Sequence, residues 1–280
     1  MTLATLSEVL QPALGGGYAV AGLVCLGWED ARAYVAAAEA EGCPVILQAG
    51  PGARTHMPVH IWGAIFAELA ERASVPVVSH LDHGQSAAEC KEAIEAGFSS
   101  VMFDGSRLAL EDNIRQTAAI AEAAHAAGIS CEGEIGFVGY AGGAASAGTD
   151  PAEAARFAAE TGVDAMAVSV GNVHLQQGAG AELDEARIAA ISALTPMPLV
   201  IHGGSGVPPE QRRRLARGST VCKFNIGTEL RMAFGAALRE AVNRDPDRFD
   251  RIAILSETEA PVMETTRRVL RNLMPGPGER

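Results

Sequence analysis

Short apolar runs alternate along the chain with longer alanine-rich segments in which apolar residues recur every three or four positions. The short runs are typical of buried strands, and the longer segments are typical of amphipathic helices. This pattern predicts eight strands, at 18–26, 44–50, 76–82, 99–106, 129–136, 164–171, 198–204 and 220–227. It predicts a helix after each strand, at 29–41, 60–73, 86–97, 111–127, 151–161, 184–194, 208–217 and 228–243.

Eight successive strand-then-helix units indicate a (β/α)8 TIM barrel formed by a single domain. A doubly wound open sheet would show the same local pattern, but no GxGxxG sequence follows the first strand, so a dinucleotide-binding fold loses its main support. We therefore expect one barrel domain over residues 1–273, including a further helix near 262–272. The proline- and glycine-rich residues 274–280 are expected to form a flexible tail.

Composition narrows the function classes. Of the 280 residues, 48% are hydrophobic but only 5% are aromatic, so the core must consist mainly of Ala, Val, Ile and Leu. The formal net charge of −12 argues against non-specific binding to nucleic acid or to an anionic membrane. The five cysteines show no CxxC spacing, and no secretory leader or membrane span is predicted. We expect a soluble cytoplasmic protein with reduced thiols.

Three histidines each follow a short apolar run, namely His83, His174 and His202. In a parallel barrel the carboxyl ends of all strands meet at one rim, so these imidazoles are predicted to project from the same rim. Three neutral nitrogen ligands with a fourth position open are what a catalytic zinc ion requires. Cobalt, manganese and iron also accept such ligands, so the pattern leaves the metal open.

Further polar residues lie at the ends of neighbouring predicted strands. They include carboxylates and an amide: Asp82, Asp104, Glu132, Glu134 and Asn225. Because catalytic groups of such barrels lie at the carboxyl ends of the strands, this clustering indicates an active site. His80 lies inside the third predicted strand, where it is expected either to brace the site or to have a structural role.

The loop HGGSGVPPEQ at 202–211 combines three glycines with Ser205 and with a proline that begins a helix. Glycines let backbone amides converge, and a helix N-terminus carries positive partial charge. A plain glycine-rich turn is the alternative. Because the loop directly follows a candidate metal ligand on the seventh strand, we expect it to bind a phosphate.

Four segments resemble the class II fructose-bisphosphate and tagatose-bisphosphate aldolases. They are HLDHGQSAAECKEAIEAGFSSVMFDGS at 80–106, GNVH at 171–174, HGGSGVP at 202–208 and KFNIGTEL at 223–230. The resemblance implies a zinc-dependent enzyme that cleaves a ketose phosphate to dihydroxyacetone phosphate and an aldehyde. It also implies a homodimer or homotetramer, and a monovalent cation near the phosphate site.

The resemblance implies a role for each matching residue. His83, His174 and His202 would bind zinc, with Glu134 as an alternate ligand. Asp82 would handle the proton of the hydroxyl next to the scissile bond, and Asp104 would lie beside the ligand set. The remaining matches would contact the substrate. Gly203, Ser205 and Thr228 would bind its phosphate, and Asn225 would lie near the developing carbanion.

The chain departs from the family around the substrate. The loop at 136–150 has no acid before Asp150, whereas relatives carry a proton-transfer glutamate there. At the other departures Val24 replaces an expected asparagine and Gly50 an expected serine or threonine. Leu175 replaces an expected glycine, and Gly227 an expected aspartate. These changes predict an aldolase with a different substrate. A metal-dependent sugar-phosphate epimerase or isomerase and a non-catalytic partner subunit are the alternatives.

Overall fold

The computed structural model describes residues 2–176, 178 and 180–274. Its strands are β1 Val20–Val24, β2 Val45–Ala49, β3 Val77–Gly84, β4 Ser100–Phe103, β5 Ser130–Ile135, β6 Ala165–Val168, β7 Leu199–Ile201 and β8 Val221–Ile226. Each strand pairs in parallel with its neighbours in sequence, and β8 pairs with β1 to close the barrel. The predicted single-domain (β/α)8 barrel is therefore confirmed.

The helices surround this barrel. They are α1 Leu6–Gly16, α2 Trp28–Glu41, α3 Pro51–His56, α4 Val59–Arg72, α5 Ala87–Glu95, α6 Leu110–Ala126, α7 Pro151–Thr161, α8 Glu185–Leu194, α9 Pro209–Gly218, α10 Thr228–Arg244 and α11 Arg251–Leu273. The eight predicted inter-strand helices match α2 and α4–α10. A short 3₁₀ turn at Gly204–Gly206 precedes α9.

Three helical features differ from the prediction. The helices α1 and α3 were not predicted, and α11 begins at Arg251 rather than near residue 262. Proline argues against a helix interior, and both α1 and α11 contain one, at Pro12 and Pro261. The start of α1 is stabilised by a capping box in which Thr5 and Glu8 bond to each other's backbone amides.

The barrel interior changes character along its axis. At the amino end of the strands, aliphatic side chains such as Ile46 and Val78 pack against the apolar face of α1. Two residues further along the same strands, the inward positions hold Gln48 and His80, both fully buried. Because side chains on one face of a strand repeat every second residue, the polar layer of Gln48 and His80 lies directly above the aliphatic layer and beneath the carboxyl-end rim.

The structure bears on two predictions drawn from composition, namely reduced cysteines and the lack of a membrane span. All five cysteines are buried and free, including Cys25, Cys131 and Cys222 in the strand-like runs. Among the described residues, none of the helices combines the length and the apolar character that crossing a bilayer requires. The predicted tail at 274–280 lies outside the described residues from 275 onward.

Candidate active site

The three predicted histidines meet at the carboxyl-end rim. His83 lies within the end of β3, His202 directly follows β7, and His174 lies six residues beyond β6. One nitrogen from each ring falls within 4.8 Å of the other two, and His83 Nε2 lies 2.9 Å from His202 Nδ1. Two of the rings are buried and that of His174 is partly exposed, so the cluster opens toward solvent on one side.

Asp82 and His83 are consecutive, yet both side chains enter this site. On a regular strand they would point to opposite faces. The pairing of β3 with β4 shifts between Leu81 and Gly84, and His83 has a φ of 52°. A β-bulge of this kind redirects side chains and is frequent beside active sites. A left-handed backbone at a residue other than glycine is uncommon and indicates a constraint that the surrounding structure holds in place.

Carboxylates orient His83. Its Nδ1 lies 2.9 Å from Asp104 Oδ2, and Ser106 donates to the other oxygen of Asp104 through both its amide and its hydroxyl. This contact holds the Nδ1 proton and leaves Nε2 facing the cluster, an arrangement common among metal-binding histidines. Glu134 Oε2 is buried without a hydrogen-bond donor among the described residues and lies 3.5 Å from His83 Nδ1. An orphaned buried oxygen beside the imidazoles of His83 and His202 fits a metal cation.

A buried polar network beneath the rim orients His202. Its Nε2 lies 3.2 Å from Glu132 Oε1, while Glu132 Oε2 lies 2.6 Å from Lys223 Nζ. Lys223 also contacts His80 Nε2 at 3.4 Å, and His80 Nδ1 lies 2.8 Å from Ser100 Oγ. His80 therefore braces the site from below and does not face the three-histidine cluster.

Two amides fix the carboxylate of Asp82. Gln48 Nε2 and Asn225 Nδ2 each donate to Oδ1 at 3.1 Å. Glycine at residue 22 leaves room for the Gln48 side chain in this position, since a Cβ there would lie 2.2 Å from Gln48 Oε1. The second oxygen of Asp82 faces Gly50, where an added Cβ would lie 3.3 Å away. Asp82 therefore has one oxygen held and one available.

Burial and charge set the protonation states. Burial alone would lower the pKa of His83, but the carboxylates of Asp82, Asp104 and Glu134 outweigh it and raise that pKa to about 10. Burial and the charge of His83 lower the pKa of His174 to about 4. Burial and the charge of Asp104 raise the pKa of Glu134 to about 8. The carboxylates thus favour positive charge at His83.

The pKa of Asp82 is set by two opposing effects. Burial raises it, but the neighbouring charges of His83 and His202 outweigh burial and lower the pKa below its ordinary value. Asp82 is therefore ionised at neutral pH. An ionised carboxylate with one free oxygen can accept a proton.

The predicted phosphate residues lie together where β7 and β8 lead into their helices. Ser205 Oγ accepts the backbone amides of Gly227 at 3.2 Å and Glu229 at 3.3 Å, at the start of α10, whose first residue is Thr228. Gly203 has a φ of 64°, and a Cβ there would lie 2.2 Å from Val173 O. Only glycine fits this close approach, and the N-terminus of α10 beside the turn carries a positive partial charge that favours an anion.

The loop at 136–150 covers His174. The ring of Tyr140 stacks on the His174 ring with centroids 4.8 Å apart, and Ala141 N donates to His174 O at 2.9 Å. The acid at the end of the loop, Asp150, caps the N-terminus of α7. Leu175, next to His174, has a left-handed φ of 60°.

Sequence reasoning missed several residues around this site. It assigned no role to Gln48, Lys223, Arg54 or Tyr140, and it noted Glu132 only as a strand-end acid. A signal existed for two of them, because Gln48 and Lys223 are polar residues within the otherwise apolar runs VILQA and VCKF. No such signal marks Arg54, which lies in the unpredicted helix α3, or Tyr140, which lies in the loop after β5.

Known proteins of this architecture match the chain over most of its length. The family model of class-II fructose-bisphosphate aldolase matches residues 4–275. A fructose-bisphosphate aldolase of Geobacillus stearothermophilus is 39% identical over 89% of each chain. A 6-phospho-5-dehydro-2-deoxy-D-gluconate aldolase of Shouchella clausii is 37% identical over 97% of this chain and 94% of its own. The crystal structure of the YdjI aldolase from Escherichia coli K12 has a TM-score of 0.84 at 27% identity, over 99% of this chain and 100% of that one.

The fold and these matches define an enzyme of the aldolase class built on a parallel eight-stranded barrel. The chain belongs to the class II fructose-bisphosphate aldolase family. The predicted family and the predicted aldolase activity are thereby confirmed.

Proposed function

We propose that this enzyme cleaves a ketose phosphate other than fructose 1,6-bisphosphate into dihydroxyacetone phosphate and an aldehyde. In this proposal His83, His174 and His202 hold a zinc ion, with Glu134 as an alternate ligand. Asp82 is the catalytic base. The observation that carries the proposal is the Asp82 carboxylate, which is held at one oxygen by two amides beside the three-histidine cluster.

The donor set supports zinc. Three imidazole nitrogens with one open position suit a catalytic zinc ion, although the same ligands also accept cobalt, manganese or iron. When bound, such a metal acts as a Lewis acid that polarises a substrate carbonyl. Asp104 and Glu132 supply the carboxylates that orient His83 and His202 for this task.

The residues of the chain handle the proton and the orientation of substrate. Asp82 accepts the proton of the hydroxyl next to the scissile carbon–carbon bond, and the aldehyde forms as that bond breaks. The electron pair of the broken bond stays on the dihydroxyacetone phosphate fragment, which then takes up a proton. Asn225 donates to Asp82 and lies at the end of β8, which supports its proposed contact with the developing carbanion.

The phosphate is proposed to bind to Gly203, Ser205 and Thr228. The support is the glycine-rich turn and the N-terminus of the 17-residue helix α10, which meet at Ser205. Oriented amides and a helix N-terminus attract a dianion. A monovalent cation near this phosphate remains a prediction.

The residues around the substrate support a changed specificity. The site lacks a side chain at Gly50 and Gly227, and leucine replaces the family's glycine at Leu175. The loop that stacks on His174 carries Tyr140 and no acid before Asp150. A relative of similar identity is named for a different phosphorylated substrate, 6-phospho-5-dehydro-2-deoxy-D-gluconate.

A substrate panel tests this proposal. Metal-loaded protein is incubated with fructose 1,6-bisphosphate, tagatose 1,6-bisphosphate and 6-phospho-5-dehydro-2-deoxy-D-gluconate, and the products are identified by NMR. We expect two carbonyl fragments, one of them dihydroxyacetone phosphate, and slow turnover of fructose 1,6-bisphosphate. A product that keeps all carbons would contradict cleavage and would favour the epimerase or isomerase alternative. The Asp82→Asn variant serves as the control for enzyme-dependent cleavage.

We also propose a homodimer or homotetramer. Large apolar side chains are exposed at the start of α11 and in the preceding turn, with Phe249 94% and Ile252 80% accessible. Exposed side chains of this size support a contact with a second copy. Sedimentation measurements would test it, and a monomer at micromolar concentration would contradict it.

The cytoplasmic location stays a prediction, consistent with the five free thiols.

A further inference from the structure

The guanidinium of Arg54 lies at the carboxyl ends of β2 and β3. Its Nη1 donates to Ala49 O at 2.7 Å and to Asp82 O at 2.6 Å, and its Nη2 donates to His83 O at 3.0 Å. Only 6% of the side chain is exposed, and Glu89 Oε2 lies 3.7 Å from Nη2. Burying a guanidinium costs free energy unless its donors are satisfied, and here three backbone carbonyls satisfy them.

These carbonyls belong to the irregular part of β3. Pairing with β2 ends at Leu81, opposite Ala49, and pairing with β4 passes from Leu81 directly to Gly84. Residues 82 and 83 therefore have no paired residue on either neighbouring strand. Their carbonyl oxygens need other donors, because buried backbone groups are almost always hydrogen-bonded. Arg54 provides a donor to both.

We infer that Arg54 is a positioning residue that holds Asp82 and His83 in the conformation that brings both side chains into the site. The left-handed backbone at His83 costs of order 1–3 kcal/mol at a residue other than glycine, so it persists only where other contacts hold it. Arg54 contacts the carbonyls on both sides of the His83 Cα, those of Asp82 and of His83 itself. The inference rests on the proposed function, since it assigns Asp82 as base and His83 as metal ligand.

Loss of these contacts has a specific consequence. A relaxation of residues 82–83 toward a regular strand would turn one of the two consecutive side chains away from the rim. Metal affinity and proton transfer would then fall together. The phosphate residues lie on the turns after β7 and β8, which Arg54 does not contact, so phosphate affinity would be retained.

Arg212 offers a matched control within the same chain. Its side chain is 3% exposed, and it also donates to two carbonyls, Val207 O at 2.9 Å and Ser205 O at 3.3 Å, and to Glu229 at 2.8 Å. These contacts support the phosphate loop instead of β3. Replacing either arginine removes a buried guanidinium of similar hydrogen bonding, but at opposite parts of the site.

The experiment compares Arg54→Met, Arg54→Lys and Arg212→Met. Zinc affinity is measured by competition with a chromogenic chelator, and ligand geometry is measured from the visible absorption of the Co²⁺-loaded protein. We expect Arg54→Met to lower zinc affinity about 10- to 100-fold, the range typical for loss of groups that orient metal ligands. It should also change the Co²⁺ spectrum and lower kcat. Arg54→Lys, which keeps the charge but not the fork of donors, should show a smaller loss in the same direction.

Arg212→Met should show the opposite profile. We expect weaker competitive inhibition by inorganic phosphate, with zinc affinity within about twofold of wild type. The inference is overturned if folded Arg54 variants bind Co²⁺ with wild-type affinity and spectrum, or if Arg212→Met loses zinc affinity to the same extent as Arg54→Met. If Arg54→Met does not fold, Arg54→Lys decides. Inactivity of the wild type on every ketose phosphate tested would contradict the proposed function without changing these metal measurements.

Discussion

Glu132 Oε2 lies 2.6 Å from Lys223 Nζ inside the barrel, where both side chains are fully inaccessible to solvent. The other oxygen of Glu132 contacts His202 Nε2, so one carboxylate both neutralises a buried ammonium and orients a candidate metal ligand. Removing one member of a buried ion pair leaves the other uncompensated. The stability of the barrel interior and the orientation of His202 therefore both depend on the Glu132–Lys223 ion pair.

This relationship predicts a non-additive pair of substitutions. Glu132→Gln and Lys223→Met should each lower the free energy of unfolding of the metal-free protein by about 3–5 kcal/mol, because each leaves a buried polar or charged partner unsatisfied. The double variant should lose clearly less than the sum of the two. Urea unfolding followed by circular dichroism measures all three values. Strict additivity would mean that the two groups do not interact.

Replacing the proposed base should remove chemistry while retaining the metal. Asp82→Asn keeps the size of the side chain and can still pair with Gln48 and Asn225, but it cannot accept a proton. We expect kcat to fall by about 10²–10⁴-fold, the range typical for loss of general acid–base catalysis. Zinc affinity should change by less than about tenfold. Retention of full turnover would rule out Asp82 as the base.

Removing the hydroxyl of Ser205 should weaken phosphate binding. That hydroxyl accepts two backbone amides at the start of α10 and fixes the glycine-rich turn against the helix. We expect Ser205→Ala to raise KM and the inhibition constant of inorganic phosphate about tenfold, which equals about 1.4 kcal/mol. Ser192→Ala is the matched control, since Ser192 bonds to Thr220 at the start of β8, away from the rim. Equal effects of both variants would contradict a phosphate role.

The hydrogen bonds of Glu41 are expected to make the free energy of unfolding depend on pH. It accepts hydrogen bonds from Arg267 and Arg271 and thereby joins α2 to α11. The hydrogen bond from Arg271 is the largest cause that holds the pKa of Glu41 below its ordinary value of 4.5. Because the folded-state pKa is lower than the unfolded one, this stabilisation is complete above about pH 4.5 and is lost as the pH falls through the folded-state value.

Glu41→Gln should therefore lower the free energy of unfolding by about 1 kcal/mol at pH 7. The difference from wild type should shrink as the pH is lowered from 5 to 3. Urea unfolding at several pH values measures it. Glu68→Gln, which removes an exposed pair with Arg72 within one helix, serves as the control and should have almost no effect at any pH. A loss at Glu41 that is equal at pH 3 and pH 7 would contradict the ion-pair explanation.

The fold was predictable because the barrel repeats one local pattern eight times. Each strand is a short apolar run, and each following helix has a regular apolar face. The two unpredicted helices break local rules, since α1 contains Pro12 and α3 is only six residues long. Their stability depends on tertiary contacts, such as the packing of Leu6 and Leu10 against the barrel floor, which no local pattern reveals.

The candidate site was predictable to the extent that its residues end strands. The three histidines, Asp104 and Glu134 come together because parallel strands share a rim, and Asp82 lies near enough to His83 and His202 for their charges to lower its pKa. The supporting residues could not be found this way. The contact of Arg54 with β3 depends on a bulge at Asp82–His83, and the stacking of Tyr140 on His174 depends on how a loop folds back. Both are properties of the tertiary structure.

Aldol cleavage by this enzyme is proposed to depend on a metal held by the three histidines. The most direct measurement combines metal analysis of the purified protein with its rate of dihydroxyacetone phosphate formation before chelation, after chelation and after zinc is restored. We predict about one metal ion per chain, loss of turnover on chelation, recovery with zinc, and neither metal nor turnover in His202→Ala. Undiminished turnover by a metal-free protein would contradict the account.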